Sequence, residues 1–257
     1  MHRVRFRDPD GERRTGEWRD ENGETRIVPT TGSDGEIAFV DETFSPDDVE
    51  ILAPTDPSKI VCIGLNYEDH AEEQDSDLPD RPMLFLKGPN TVAHQDQTVS
   101  LLPDKERIEH EAELGVVIGT ECRNVSEDEA MAVVAGFTCV DDISNRDDQR
   151  VEQNWVRGKA FDGAAPMGPV LATPDEVPDD ATIELRCNGE TKQSSTRKNL
   201  IFSIPELIEE VTRYMTLEPG DVIATGTPAG VGKLDDGDEI EIEIEGIGTL
   251  SHSVSIP

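Results

Sequence analysis

Glu111 and Glu113 stand two residues apart in His110-Glu-Ala-Glu-Leu-Gly-Val-Val-Ile-Gly119, a run that turns apolar once past Glu113. On a strand, side chains at that spacing share a face, with Cα atoms roughly 7 Å apart. Two like charges there repel, and burial adds a desolvation cost to each. A divalent cation is the simplest compensation. Asp142 closes another mostly apolar run, Ala135-Gly-Phe-Thr-Cys-Val140, and is a candidate third oxygen ligand. Three carboxylates with no neighbouring Cys or His pair suit a hard ion, Mg²⁺ or Mn²⁺, with water or substrate completing its shell. The competing reading is three solvated carboxylates on a strand edge of an acid-rich chain.

His70 and Glu73 are spaced i, i+3, which puts them on one helix face if residues 66–74 are helical. A carboxylate there orients the imidazole and raises its basicity, the arrangement of a general base. The polar continuation Glu72–Asp80 reads as a lid over substrate. Lys159 lies between Gly158 and Ala160 in a chain with only seven Lys. It is either part of a surface salt bridge or, if the fold brings it to the three carboxylates and a cation, a group whose ammonium would hold a substrate carboxylate or enolate oxygen. Lys87, which ends Leu84-Phe-Leu86, is either a second substrate contact or a structural pairing. His2, His94, His110 and His252 read as structural or exposed, and Trp155, Phe161 and Phe202 as core.

These residues need a scaffold, and the pattern is mainly strand. Residues 1–55 are charge-rich, with strand-like pieces His2–Phe6, Thr25–Val28 and Glu36–Val40 separated by turns at Asp10-Gly11, Asn22-Gly23 and Asp34-Gly35. They read as a small N-terminal β-rich domain, with Ala53-Pro-Thr-Asp-Pro-Ser58 as the linker. Residues 58–257 read as a second, larger domain. Its strand candidates are Ile60–Gly64, Met83–Leu86, Leu114–Ile118, Gly136–Val140, Val222–Ala224 and Glu239–Glu245. Asn188-Gly189 predicts a hairpin between Ile183–Cys187 and Glu190–Gln193. Ile240, Ile242 and Ile244 alternate with glutamates, as in a strand with one solvated face. Ser126-Glu-Asp-Glu129 and Ser203-Ile-Pro-Glu206 are capping boxes, opening helices to about Val134 and Met215. The fold class is mixed α/β, mainly β.

The formal net charge is −33, with sixteen Arg and seven Lys against 56 Asp and Glu. Nucleic acid and anionic membranes are disfavoured partners, because their phosphates are repelled. The acidity reads as a halophile's surface, where concentrated salt screens self-repulsion. No apolar run spans a membrane and the N-terminus is charged, so a soluble, cytoplasmic protein is expected. Cys62, Cys122, Cys139 and Cys187 lack Cys-x-x-Cys spacing and read as small buried hydrophobes.

Three motifs fail on inspection. His110-Glu111 starts a zincin-like pattern, but position 114 is Leu. Gly226–Lys233 resembles a phosphate loop with the wrong glycine spacing and with Leu234 where Ser or Thr is needed. No Gly-x-Ser-x-Gly elbow is present. The joint order of other segments, from about residue 58 onward, resembles the fumarylacetoacetate hydrolase family. They are Ile60–Glu73 with Asn66-Tyr67 and His70, Pro82–Lys87, Glu109–Gly119, Asp141-Asp-Ile-Ser-Asn-Arg-Asp147, Trp155–Gly163 with Pro166–Pro169, Asn188-Gly189, and Thr216–Gly232.

The resemblance implies a β-roll catalytic domain, usually homodimeric, with a carboxylate-bound Mg²⁺ or Mn²⁺. Carried over by position, Glu111, Glu113 and Asp142 are the metal ligands. His70, Glu73 and Lys159 are the catalytic groups, and Lys87, Arg146, Gln149 and Thr227 touch a small 2-oxo acid substrate. The expected reaction is hydrolysis of a carbon–carbon bond in 2,4-dioxo acids through a metal-bound enolate. Isomerisation of 2-hydroxyhepta-2,4-diene-1,7-dioate and decarboxylation of a 2-oxo acid are the alternatives. Two positions depart from the family pattern: Asp141 stands where Asn is frequent, and Asn145 where Ala is common. A second acid beside Asp142 either adds repulsion or points away.

Overall fold

The structure, a computed structural model, describes residues 1–21, 23–31, 38–73 and 75–257. Asn22 of one expected turn, the Asp34-Gly35 turn, the start of the strand expected at Glu36 and the last position of the helix expected over 66–74 lie outside the described residues. The fold is mainly β. Among the described residues one 12-stranded sheet forms the body. At its centre Ala112–Ile118 runs antiparallel to Val134–Asp141, which runs antiparallel to Ala165–Ala172. Val222–Ala224, Ile60–Gly64 and the edge strand Met83–Lys87 extend it to one side. On the other side His2–Arg7 pairs with Ala165–Ala172 and leads into Arg13–Glu21, Glu24–Thr31 and Ala38–Phe39. The N-terminal strands therefore continue the main sheet.

A 5-stranded sheet carries the hairpin of Thr182–Cys187 and Glu190–Thr196 together with Glu239–Ile244, Gly248–Ser255 and Thr98–Ser100. Asn188 and Gly189 both have positive φ (53° and 76°), as the two-residue turn requires. Strand alternation sorts the core into two faces. Leu114, Val116 and Ile118 join Ile183, Leu185, Ile240 and Ile242 of the smaller sheet. Val117 and Val140 join Ile60, Val222 and Met167 on the opposite face. Gly136 is needed where the two central strands close up, because a Cβ there would lie 2.2 Å from the Ala172 carbonyl oxygen. All four cysteines are free and buried, as their scattered spacing predicts.

The two expected helices part ways. Ser203 caps Ile204–Tyr214 in a complete capping box, and Ile204, Leu207, Ile208 and Val211 are buried against the core. At Ser126 the hydroxyl bonds the Glu129 carboxylate (3.0 Å) instead of a backbone N–H, and the helix lasts only Glu127–Ala130 before tightening into a 3₁₀ turn, Met131–Val133. The Pro-rich linker is also no loose tether. Pro54 and Pro57 are buried, and Asp221 Oδ1 accepts the backbone N–H groups of Ser58 (2.9 Å) and Lys59 (3.1 Å). Among the described residues no helix is long and apolar enough to cross a membrane.

The net charge of −33 yields a first expected outcome. Lowering salt from about 1 M to about 0.1 M lengthens the screening distance from about 3 Å to about 10 Å. Self-repulsion then grows, and the melting temperature should fall steadily in a thermal-shift series in KCl. A flat series would contradict a surface adapted to concentrated salt.

Candidate active site

The three acids meet where two paired strands leave the main sheet together. Ile108–His110 and Ser144–Asn145 pair in a separate 3-stranded sheet, while Ala112–Ile118 and Val134–Asp141 pair in the large one. Glu111 lies in the break, not within a continuous strand as its sequence suggests, and Asp142 follows the last residue of its strand. The register Ala112↔Asp141 sets Glu111 beside Asp142, whose N–H donates to the Glu111 carbonyl (2.9 Å). One oxygen from each of Glu111, Glu113 and Asp142 lies within 4.8 Å of the others, and all three residues are buried.

A sheet corner frees backbone groups that a ladder would satisfy, and buried N–H groups need partners. Asp141 Oδ1 accepts the Glu111 N–H (2.8 Å) and Gln193 Oε1 accepts the Ala112 N–H (3.0 Å). Asp141 thus points away from the acid trio, and its other oxygen meets His252 Nε2 at 2.8 Å. His252, one of the histidines assigned no role, is fully buried in this pair. Asn145 caps the helix Arg146–Gln149, accepting from the Asp148 N–H. His252→Leu should leave a buried Asp141 oxygen without a donor and cost roughly 1–3 kcal/mol, more if the group stays ionised. Urea unfolding at fixed salt measures this, and an unchanged midpoint would refute it.

Cations answer part of the buried negative charge. Lys159 donates to Glu111 Oε2 (2.7 Å), Asp142 Oδ2 (2.7 Å) and the Ser144 hydroxyl. Arg146 Nη2 donates to Glu111 Oε1, its Nε to Glu109 Oε2 (2.6 Å) and its Nη1 to Gln149 Oε1 (2.7 Å). Burial alone would push the Glu111 carboxyl up, but Lys159 and Arg146 together hold it below the usual carboxylate range. Burial likewise opposes charge on Lys159, and Asp142 and Glu111 overcome it, raising the ammonium above its ordinary value. Glu113 has no cation bonded to it. Burial and then the charges of Asp142 and Glu111 push it well above the ordinary value, and the nearby Lys159 charge and a backbone bond from the Gly226 N–H (2.9 Å) offset this only in part. Asp142 Oδ1 is buried without an aligned hydrogen bond, although Lys87 Nζ lies 2.8 Å away. An under-compensated carboxylate beside an oxygen without an aligned hydrogen bond, in an all-oxygen set, fits a hard divalent cation.

The trio opens into a cavity of about 830 Å³. His70, Glu73, Arg146, Gln149, Lys159 and Thr227 all line it with the three acids. Lys87 does not. Its ammonium is buried behind Asp142 and donates to the carbonyls of Ala164 (2.7 Å) and Ile143 (3.2 Å), so it holds Asp142 rather than facing the cavity, against the substrate contact inferred for it. The expected His–Glu pair is present on the helix Glu68–Glu73, with His70 Nδ1 3.1 Å from Glu73 Oε2. Glu73 Oε1 accepts the Gly230 N–H (3.1 Å), tying the pair to the loop that carries Thr227. A carboxylate on Nδ1 favours the tautomer with its lone pair on Nε2.

Several wall residues escaped the sequence reading. Glu109 bridges Arg107 and Arg146 on the wall, and Gln193, which does not line the cavity, donates from the smaller sheet to Oγ1 of the wall residue Thr227 (2.8 Å). Glu109 repeats the two-residue spacing of Glu111 and Glu113, a signal that could have flagged it. Trp155, assigned to the core, is half-buried on the cavity wall, edge-on to Phe85 with centroids 5.3 Å apart. The φ values of Trp155 (57°) and Leu65 (44°) are left-handed, and both residues line the cavity. Such strain persists only where the surroundings enforce it, as at ligand sites.

Residues 59–255 match the fumarylacetoacetate (FAA) hydrolase C-terminal family. Oxaloacetate tautomerase YisK of Bacillus subtilis is 45% identical over 225 residues, covering 82% of this chain and 75% of that one. The crystal structure of 2-hydroxyhepta-2,4-diene-1,7-dioate isomerase from Mycobacterium marinum is similar at a TM-score of 0.91 and 34% identity, covering 100% of this chain and 98% of that one. Fumarylpyruvate hydrolase from Pseudomonas aeruginosa, in complex with Mn²⁺ and pyruvate, is similar at a TM-score of 0.73 and 30% identity, over 85% and 93% of the two chains.

Proposed function

The chain belongs to the fumarylacetoacetate hydrolase family, and from that premise we propose a divalent-metal-dependent hydrolase that cleaves a carbon–carbon bond in 2,4-dioxo acids. The observation that carries this reading is one cavity lined by the acid trio, Lys159 and the His70–Glu73 pair together. Glu111, Glu113 and Asp142 would hold Mg²⁺ or Mn²⁺, and the Mn²⁺ and pyruvate of the Pseudomonas aeruginosa enzyme support that choice. Bound there, the cation supplies Lewis acidity toward the carbonyl of a 2-oxo acid.

The side chains do the rest. Glu109, Glu111, Glu113 and Asp142 are formally balanced by Lys87, Arg107, Arg146 and Lys159, so a divalent cation leaves a net positive site that an anionic oxo acid fills. Lys159 and Arg146 stay charged and oppose negative charge building on the substrate oxygens. His70, oriented by Glu73, takes a proton from water through Nε2. The hydroxide adds to the distal acyl carbonyl, the bond to the neighbouring carbon breaks, and its electron pair passes into the enolate of the 2-oxo acid. The proton taken by His70 returns to that carbon, which releases a carboxylic acid and the 2-oxo acid. Lys87 positions Asp142, and Gln149 and Thr227 orient the substrate by hydrogen bonds. The assembly we propose is a homodimer, which light scattering in high salt would test.

The names of the Bacillus subtilis and Mycobacterium marinum relatives favour a second reading, enol–keto or double-bond isomerisation of an oxo-dioic acid. It uses the same wall but needs no added water. Protein purified in high salt with Mg²⁺ separates the readings on acetylpyruvate, oxaloacetate and 2-hydroxyhepta-2,4-diene-1,7-dioate. Chelator-sensitive release of acetate and pyruvate supports hydrolysis. Isomerisation without cleavage moves the assignment to the second reading, and inertness toward all three with metal bound overturns both.

A further inference from the structure

Arg150 stands out on the cavity wall. The chain holds 56 acids against 23 Lys and Arg, so most cations are soaked up in ion pairs. Arg107 and Arg146, on the same wall, are both held by Glu109. Arg150 is exposed, and its guanidinium has no hydrogen-bond or ion-pair partner among the described residues. An unclaimed guanidinium in so acidic a chain, aligned with an active cavity, has a charge to offer a ligand.

Its place along the wall is set by the helix Arg146–Gln149. Arg150 keeps helical geometry, and its N–H donates to the Arg146 carbonyl (3.2 Å). Residues four apart share a helix face, about one turn or 5.4 Å apart along the axis. Arg146 therefore sits at the floor, bonded to Glu111, and Arg150 one turn farther toward solvent. A cavity of about 830 Å³ leaves room beyond a 2-oxo acid head group seated at the acids. The guanidinium fork matches a carboxylate, while the wall acids Glu73 and Glu109 disfavour a more highly charged phosphate.

We propose that Arg150 binds the distal carboxylate of the substrate and makes this enzyme select 2-oxo acids that carry a second carboxylate. This rests on the 2-oxo acid reading above and holds for either reaction. The test is calorimetric, at one fixed high ionic strength, on Mg²⁺-loaded protein. The ligands are 2-oxoglutarate and 2-oxopentanoate, which share a carbon chain and differ in the terminal carboxylate. Wild type should bind 2-oxoglutarate about tenfold tighter or more, the discrimination of one charged pair. Arg150→Gln should bring the ratio to about one while the Kd of 2-oxopentanoate stays within about twofold, and Arg150→Lys should restore part of it, as a point charge without the fork does. A ratio near one in wild type, or a ratio unchanged in Arg150→Gln, overturns the proposal while leaving the 2-oxo acid reading intact. Mg²⁺ binding with no uptake of either oxo acid overturns that reading and the role of Arg150 with it.

Discussion

Glu113→Gln is expected to lower turnover about a thousandfold or more and, in chelator, to raise the melting temperature. The two effects have one cause. Glu113 is 1% exposed, faces two other carboxylates and has neither lysine bonded to it. Without a cation its charge is a liability in a medium that screens poorly. Gln preserves the shape, keeps an oxygen for the Gly226 N–H and removes the repulsion. With a cation the same change removes a ligand, and several kcal/mol of electrostatic stabilisation correspond to a rate factor of about a thousand or more. Wild type at 100 times the metal Kd gains about 2.7 kcal/mol, or roughly 5–10 °C for a domain of this size. The variant should lose that metal-dependent rise. A thermal-shift titration with Mg²⁺ and Mn²⁺, run beside the assay, reads both effects. Retained turnover, or a metal-induced rise equal to that of wild type, would remove Glu113 from the metal site.

The acid trio was legible because its cost is local. Paired acids entering an apolar run are conspicuous wherever the chain turns, and the structure buries all three. Their support was not legible, because it comes from far along the chain. Gln193 reaches the Ala112 N–H across 81 positions, and His252 reaches Asp141 across 111. From sequence Asp141 was only an extra charge of unknown direction. The sheet corner at Glu111 decides that direction, since the freed N–H draws the Asp141 carboxylate away from the cavity. Lys87 misled for a related reason. Met83, Phe85 and Lys87 alternate onto one face of an edge strand, but only the first two line the cavity, and the third is buried deeper behind Asp142. The serine caps teach the same point. Ser203 and Ser126 have identical spacing to their glutamates, yet Ser203 opens a helix that buries Ile204, Leu207, Ile208 and Val211 along one face, whereas the helix after Ser126 buries Ala130 alone, and tertiary burial carries the first to 11 residues.

His70→Ala should cut hydrolysis of acetylpyruvate by about a hundredfold to ten-thousandfold, the usual worth of a positioned general base. Loss of carbon dioxide from oxaloacetate, which needs no activated water, should fall far less. The contrast follows from where His70 sits. It lines the cavity on the helix Glu68–Glu73, tied by Nδ1 to Glu73 and through Glu73 to the Gly230 N–H, and no bond connects it to Glu111, Glu113 or Asp142. Its removal therefore leaves the acid trio and its lysines in place, and metal affinity by calorimetry should match wild type. Glu73→Gln should fall between, because the amide still contacts the ring but no longer offers a charge to steady the imidazolium. Equal losses in both reactions, or a lost metal site, would mean that His70 supports the cavity as a whole, and the water-activating role would have to pass to another group on the wall.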